Sequence, residues 1–313
     1  MRGLILFCVC LTLLAGCARL NSAAQDDAYA GVSGRIAEWG AIVDLASGEQ
    51  IDARRLLERL ADAPTLLVGE THDNLAHHLI ERWLYERLEQ MRPHGAVVLE
   101  MLAADRQKPV RQVQEWLQAG NRLRLSRLPE VMRWGRRWNW EQYGALVGEL
   151  MRGSAPVLAG NLSEARRESL MAQPPADPLA LFADLELARQ QRLEIRRMHC
   201  GELDPAREAA MLAIQAERDR HMARVLEGAP APRLLFAGSR HVLKRIGVPR
   251  YLHEPGARVL LIGEEGQALE AADADFVWLL PARDESGAPL GNAASRCEAP
   301  NAHSIHTTQG ATT

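Results

Sequence analysis

Apolar residues along this chain fall into short unbroken runs, separated by longer stretches in which they recur every three to four positions. The runs are TLLVG at 65–69, AVVLE at 96–100, APVLAGN at 155–161, RLLFAG at 233–238 and ARVLLIG at 257–263. A continuous apolar run of this length between turn residues predicts a strand buried on both faces. Helical periodicity fills 74–91, 106–119, 140–153, 206–227 and part of 240–252. Strands alternating with helices predict an α/β fold, a mainly parallel sheet with helices on both faces. A helical insertion over residues 162–205, with QPPADP at 173–178, is expected to add a hinged subdomain or lid.

The two ends depart from this pattern. Arg2 precedes an apolar run from Leu4 to Leu14, and LAGC follows, ending at Cys17. A run of about a dozen apolar residues is too short to span a bilayer and has the length of a secretory signal core. LLAGC resembles the lipobox of bacterial lipoproteins. That resemblance implies a signal peptide over 1–16, cleavage before Cys17, and acyl chains such as palmitate on the cysteine. Each buried CH₂ contributes about 0.8 kcal/mol, so several chains hold a domain on a membrane where one would exchange. Ala18 in place of aspartate implies the outer membrane, facing the periplasm. Residues 17–36 read as a lipidated tether, 37–282 as the folded domain and 283–313, rich in Ala, Ser, Asn and Thr, as a disordered tail.

Composition narrows the field further. The 313 residues, 47% of them hydrophobic, suffice for one large α/β domain or two small ones. A net charge of -3 without long like-charge runs leaves no electrostatic footprint for nucleic acid. Only Lys108 and Lys244 are lysines among 37 basic residues, a skew that fits codon preference rather than a selected arginine function. With Cys8 and Cys10 in the signal and Cys17 acylated, Cys200 and Cys297 are left, no CxxC spacing exists, and a bridge between them would merely tie down the tail.

Candidate chemistry collects where the apolar runs end. GETH at 69–72 and GSRH at 238–241 repeat a glycine followed three residues later by histidine, each between a strand and a helix. Glu100 closes the second run and Asn161 the third. Ligands of parallel α/β sheets bind outside the carboxyl ends of the strands, so Glu70, His72, Glu100, Asn161 and His241 are expected at one rim. The glycines are expected to permit tight turns, with the following residues at helix N-termini. Two histidines and two carboxylates suit a divalent metal, general acid/base hydrolysis or an iron cofactor, and residue types alone do not choose. HExxH spacing is absent.

Neighbouring polar residues read more plainly. His77 and His78 fall in NLAHHLIERWLYERL, a polar-faced helix from which at most one is expected to face the pocket. RWGRRWNWEQY at 133–143 sets Trp134, Trp138, Trp140 and Tyr143 among Arg133, Arg136 and Arg137. Aromatic faces there suit a flat ligand with arginines on its carboxylates. Helix packing, with tryptophans inward and arginines in water, is the weightier reading. Gln215, Asp219 and Met222 share one helical face, and His199–Cys200 reads as a structural turn.

Together VGETHDNLAHH, VVLEM followed by Asp105, VLAGNL, HCGELD, MLAIQAERDRHMA and LLFAGSRHVLKRIGVP resemble, in order, the ChaN family of haem-binding lipoproteins, over residues 60–280. That family belongs to the Tiki and erythromycin-esterase-like superfamily. The resemblance implies a lipoprotein of haem or iron acquisition, able to bind haem as a cofacial pair across a homodimer and to exchange it with an outer-membrane haem receptor. It implies pocket positions at Glu70, His72, Glu100, Asn161 and His241, with Tyr251, Tyr143 or His241 as iron ligand. The superfamily also implies an alternative, a metal-dependent or Glu/His-based hydrolase using Glu70, His72, Glu100 and His241.

Overall fold

The computed structural model describes residues 29–182, 184–199, 201 and 203–281. The residues expected to form a signal peptide and a tail, with Cys17, Cys200 and Cys297, lie outside them. In chain order the elements are β1 (Ala41–Asp44), β2 (Glu49–Ile51), α1 (Ala53–Ala61), β3 (Thr65–Glu70), α2 (Leu75–Met91), β4 (Ala96–Ala103), α3 (Gln107–Gln118), α4 (Leu128–Val131), α5 (Trp140–Arg152), β5 (Val157–Asn161), α6 (Glu164–Ala172), α7 (Leu185–Met198), α8 (Pro205–Glu227), β6 (Arg233–Gly238), α9 (Ser239–Val242), β7 (Ala257–Glu264) and β8 (Phe276–Leu280). Short polar side chains start the helices as capping chemistry requires. Asp52, Asn74, Asn139, Ser163, Asp184 and Asp204 each accept a backbone N–H of the first turn. Pro205 adds the fixed φ favoured at the first helical position.

One eight-stranded sheet runs in the order β2-β1-β8-β7-β3-β6-β4-β5. From β8 to β5 every pairing is parallel, while β1 is antiparallel to both β8 and β2. The α/β architecture expected from the apolar runs is therefore the observed one, and each of the five runs forms a strand. The β1–β2 hairpin, β8 and α1 are additions that the pattern did not single out. FVWLL is apolar throughout but short, and the hairpin strands are four and three residues long.

Strand alternation divides the core in two. Leu66, Val68, Val97, Leu99, Leu234, Phe236, Leu260 and Ile262 pack with α1, α2 and α5 on one face. Leu67, Val98, Leu235, Ala237, Val259 and Leu261 pack with Met222, Ala223 and Leu226 of α8 on the other. Successive side chains of a strand point to opposite faces, so one residue of parity decides which helices a rim side chain meets.

One expected boundary and one expected role are corrected. The tether assigned to 17–36 ends earlier, because Tyr29 and Ile36 are buried in the first core. Tyr29 donates to Glu86 at 2.5 Å and lies under the Arg82 guanidinium, 3.9 Å from its ring centre, so its burial is both apolar and polar. The 162–205 insertion is helical as expected, but it does not stand apart as a lid. Leu187, Ile195 and Phe182 pack on Leu212, Ala216 and Ile246, and Leu170 packs on Ala213 and Ile214. Among the described residues no helix is long and apolar enough to cross a membrane.

Candidate functional site

The carboxyl ends of β3, β6, β4 and β5 lie side by side, and the residues after them form one connected polar cluster. Glu70 shares the parity of Leu66 and Val68, so it turns to the α2–α5 face. Glu100 shares that of Val98 and turns to α8. His72, on the turn beyond β3, joins the two halves: its Nδ1 is 2.7 Å from Glu70 Oε1 and its Nε2 is 3.6 Å from Glu100 Oε2. His72 is also the member of the cluster that reaches solvent, its side chain 37% exposed beside fully enclosed carboxylates.

On the α2–α5 side, Tyr143 donates to Glu70 Oε1 at 2.6 Å, and Nδ1–H of His72 shares that oxygen. His78 Nε2 lies 2.5 Å from Glu70 Oε2, close but off the line of a hydrogen bond. Burial alone would raise the Glu70 carboxyl, but His78 and His72 outweigh it and hold it well below the carboxylate range. Glu81, fully buried beside it, is raised by that burial and by the Glu70 charge, so Glu81 holds its proton where Glu70 is the anion. Glu70, His78 and Glu81 bring one donor atom each within 4.8 Å of one another, the group among the described residues with metal-ligand spacing. The metal set expected from sequence, which included His72, Glu100 and His241, does not gather in that way.

On the α8 side, Glu100 is the hub. Its Oε2 accepts the Gly238 backbone N–H at 2.9 Å, and its Oε1 lies 3.1 Å from His241 Nε2 and 3.7 Å from Arg218. The other ring nitrogen of His241 is 2.5 Å from Asp219. Burial would lower His241, but Glu100 and Asp219 overcome it and push it up to about 9, so at neutral pH it is an imidazolium between two carboxylates. Burial also raises Asp219, and His241 opposes that rise. Asn161 does not touch the Glu100 carboxylate. Its amide donates to the Glu100 backbone carbonyl at 2.9 Å and accepts from Leu162, tying β5 to β4 where their register shifts.

Both glycines of the repeated motif serve close approach rather than turn conformation, for neither has a positive φ. A Cβ on Gly238 would sit 2.7 Å from His72 Nε2, and one on Gly69 would sit 2.5 Å from Val242 and 2.9 Å from the Ser239 backbone. A helix follows directly only at the second motif, where Gly238 caps the single-turn α9 from Ser239, whereas α2 starts three residues after His72.

The aromatic segment 133–143 does two jobs. Trp134, Trp138 and Trp140 pack against the first core, as the packing reading expects. Trp138 also meets His72 edge-on, 4.7 Å between ring centres, and so walls the exposed imidazole. The chain enters this segment through a Schellman turn after α4, in which Trp134 N–H bonds Pro129 O and Arg133 N–H bonds Glu130 O. Arg133 occupies the left-handed position with φ 57°.

Both tyrosines expected as iron ligands have enclosed hydroxyls. Tyr143 is fully buried, spends its O–H on Glu70, and burial with the Glu70 charge raises it strongly. The Tyr251 hydroxyl is buried, and burial followed by the Asp219 charge pushes it up to about 12. A phenol held so far from ionising is a poor phenolate ligand. Sequence reasoning misread His77 and His78 and missed Glu81 and Arg218. His77 and His78 are both buried, with His77 Nδ1 accepting the Thr71 N–H at 3.0 Å, so the polar-faced reading of this helix is overturned. Glu81 follows His77 and His78 at helical spacing, a signal that marks one face. Arg218 adjoins Asp219, whose helix face was noted.

An α/β protein with a buried histidine–carboxylate network at the C-terminal rim of its parallel strands, open to solvent at one imidazole, is the class this geometry defines. The chain belongs to the family described as haem-binding uptake, Tiki superfamily, ChaN, whose model matches residues 56–252. Its fold is similar to that of ChaN of Campylobacter jejuni, solved with cofacial haem, at 24% identity over 77% of this chain and 97% of that one, with a TM-score of 0.68. A mutant of the erythromycin esterase EreC, in its open conformation, is more distant, at 13% identity over 79% of this chain and 84% of that one and a TM-score of 0.43. No curated protein sequence matches the chain.

Proposed function

We propose that this protein binds haem at the rim beside His72 and serves haem or iron acquisition as an outer-membrane lipoprotein. The observation that carries the reading is the exposure of His72 out of an otherwise buried network, against Trp138. These residues fit a porphyrin: the indole of Trp138 offers an aromatic wall beside the half-exposed imidazole, and Glu70 holds that ring at Nδ1–H. Haem, when bound, would supply an iron, and His72 is the residue at this rim that would meet it. Burial would lower His72, but Glu100 and Glu70 outweigh it and raise the imidazole above the ordinary histidine value, so protons would compete with iron for the ring and binding is expected to weaken as pH falls.

Cofacial haem in the Campylobacter jejuni relative supports a haem pair held across a homodimer here. The LLAGC sequence supports acylation of Cys17, a periplasm-facing anchor and exchange with an outer-membrane haem receptor. Titrating the full chain with haemin tests the central reading. A shifted Soret band is expected, altered in His72→Ala, and a wild-type chain that leaves the haemin spectrum unchanged would discard it. Cys17→Ser tests the anchor, with loss of palmitate incorporation and release from the membrane fraction expected.

The hydrolase alternative fits the geometry less well. His241 is an enclosed imidazolium with both nitrogens on carboxylates, and Glu70 is enclosed and held ionised by two histidines. Neither is placed to take a proton from a substrate, and His72, which does reach solvent, is held towards its protonated form by Glu100 and Glu70. Ester turnover by the wild type that Glu70→Gln abolishes would revive it.

A further inference from the structure

Beside His72 a cleft opens between the end of β4, the 135–138 loop, α6 and α8, and its charge is not explained by the network already described. Arg106, Arg136, Arg137, Arg167 and Arg218 line it, and Glu164 is the carboxylate among its lining residues. Glu164 is shared with Arg106 at 3.2 Å, and Arg218 approaches Glu100 at 3.7 Å from outside. Arg136, Arg137 and Arg167 form no ion pair with a described residue. Arg218 is 15% exposed, and its Nε is buried without a hydrogen-bond partner among the described residues. Burial and the charges of Arg167 and Arg218 together push the Arg137 guanidinium down.

Guanidinium groups crowded from separate elements repel one another, and an anion bridging them removes that cost. Met101, Leu102 and Asn161 complete the walls, and Trp138 is common to the cleft and the His72 face. We infer that this cleft is an anion subsite in which Arg137, Arg167 and Arg218 hold the carboxylates of the ligand, the propionates of haem. This rests on the haem reading for the ligand and on the cleft alone for its charge. Carboxylate and phosphate each offer two oxygens to arginine's planar fork, so free oxyanions are the alternative source.

The test compares the full chain with Arg137→Gln/Arg167→Gln, using haemin, haemin dimethyl ester and citrate as probes. Losing two charge-assisted contacts is expected to weaken haemin binding roughly tenfold or more. The ester, which lacks the carboxylates, should bind both proteins within about twofold. Citrate should raise the melting temperature of the wild type and not of the variant. Added salt should weaken haemin more than its ester in the wild type, a readout independent of any substitution. Equal haemin affinity in the two proteins, or equal losses for haemin and ester, would overturn the subsite while leaving haem binding intact. A wild type that ignores both porphyrins would end the propionate assignment together with the haem reading. Citrate protection confined to the wild type would then leave the cleft standing as a site for free oxyanions, and its absence would remove that too.

Discussion

His241 and His77 are both enclosed, yet their surroundings move them in opposite directions. Glu100 and Asp219 raise His241 to about 9 against its burial, whereas burial lowers His77 to about 4. A raised group stabilises the fold fully below its unfolded value and loses that contribution as pH climbs through its folded value. A lowered group contributes above its unfolded value and loses that as pH falls. Stability is therefore expected to peak near the ordinary histidine value of 6.5, falling towards 9 on one side and towards 4 on the other. Thermal melts across that range check this: His241→Gln should flatten the alkaline limb and His77→Gln the acid limb. Gly238 supplies a second prediction at this scale. In Gly238→Ala the new methyl meets the movable His72 ring 2.7 Å away, so the imidazole is displaced and haemin affinity falls. A Soret titration alongside a melting curve separates that loss from a loss of fold.

At the scale of elements, five of the six parallel strands were legible because each is a long apolar run buried on both faces. Helix α2 was not legible in the same way. His77, His78 and Glu81 occupy inward positions that ordinarily hold apolar residues, and their partners Thr71 and Glu70 stand on the preceding strand and turn. The turn after α4 carries a prediction of its own. A left-handed residue other than glycine is strained by roughly 1 kcal/mol, and Arg133 is exposed there. Arg133→Gly is expected to raise the melting temperature slightly and to leave haemin binding unchanged, because the arginine lines neither the cleft nor the His72 wall.

Across the whole molecule, the N-terminal boundary depends on packing that lies far away in sequence. Tyr29 rests between Arg82 and Glu86 of α2, and Ile36 joins the same core. A chain starting at residue 37 instead of 29 loses both, at a cost of about 3 kcal/mol or more. Denaturant unfolding of the two truncations checks this, with an equal midpoint contradicting the boundary. The pairing of β8 between β1 and β7 has the same character. Its five residues are apolar enough to be a strand, but their place in the sheet is set by neighbours more than two hundred residues apart in sequence.

By itself the sequence determined the strand–helix alternation, the repeated glycine-to-histidine turns and the convergence of Glu70, His72, Glu100 and His241 on one rim, because parallel strands must end on the same side. Only the tertiary structure decided which of these face each other. Strand parity sends Glu70 and Glu100 to opposite faces, His72 bridges them, and neighbouring charges make one buried histidine an imidazolium and leave another neutral. Those outcomes arise from contacts between residues distant in the chain, through burial and Coulomb interaction, which no local pattern of polar and apolar positions encodes.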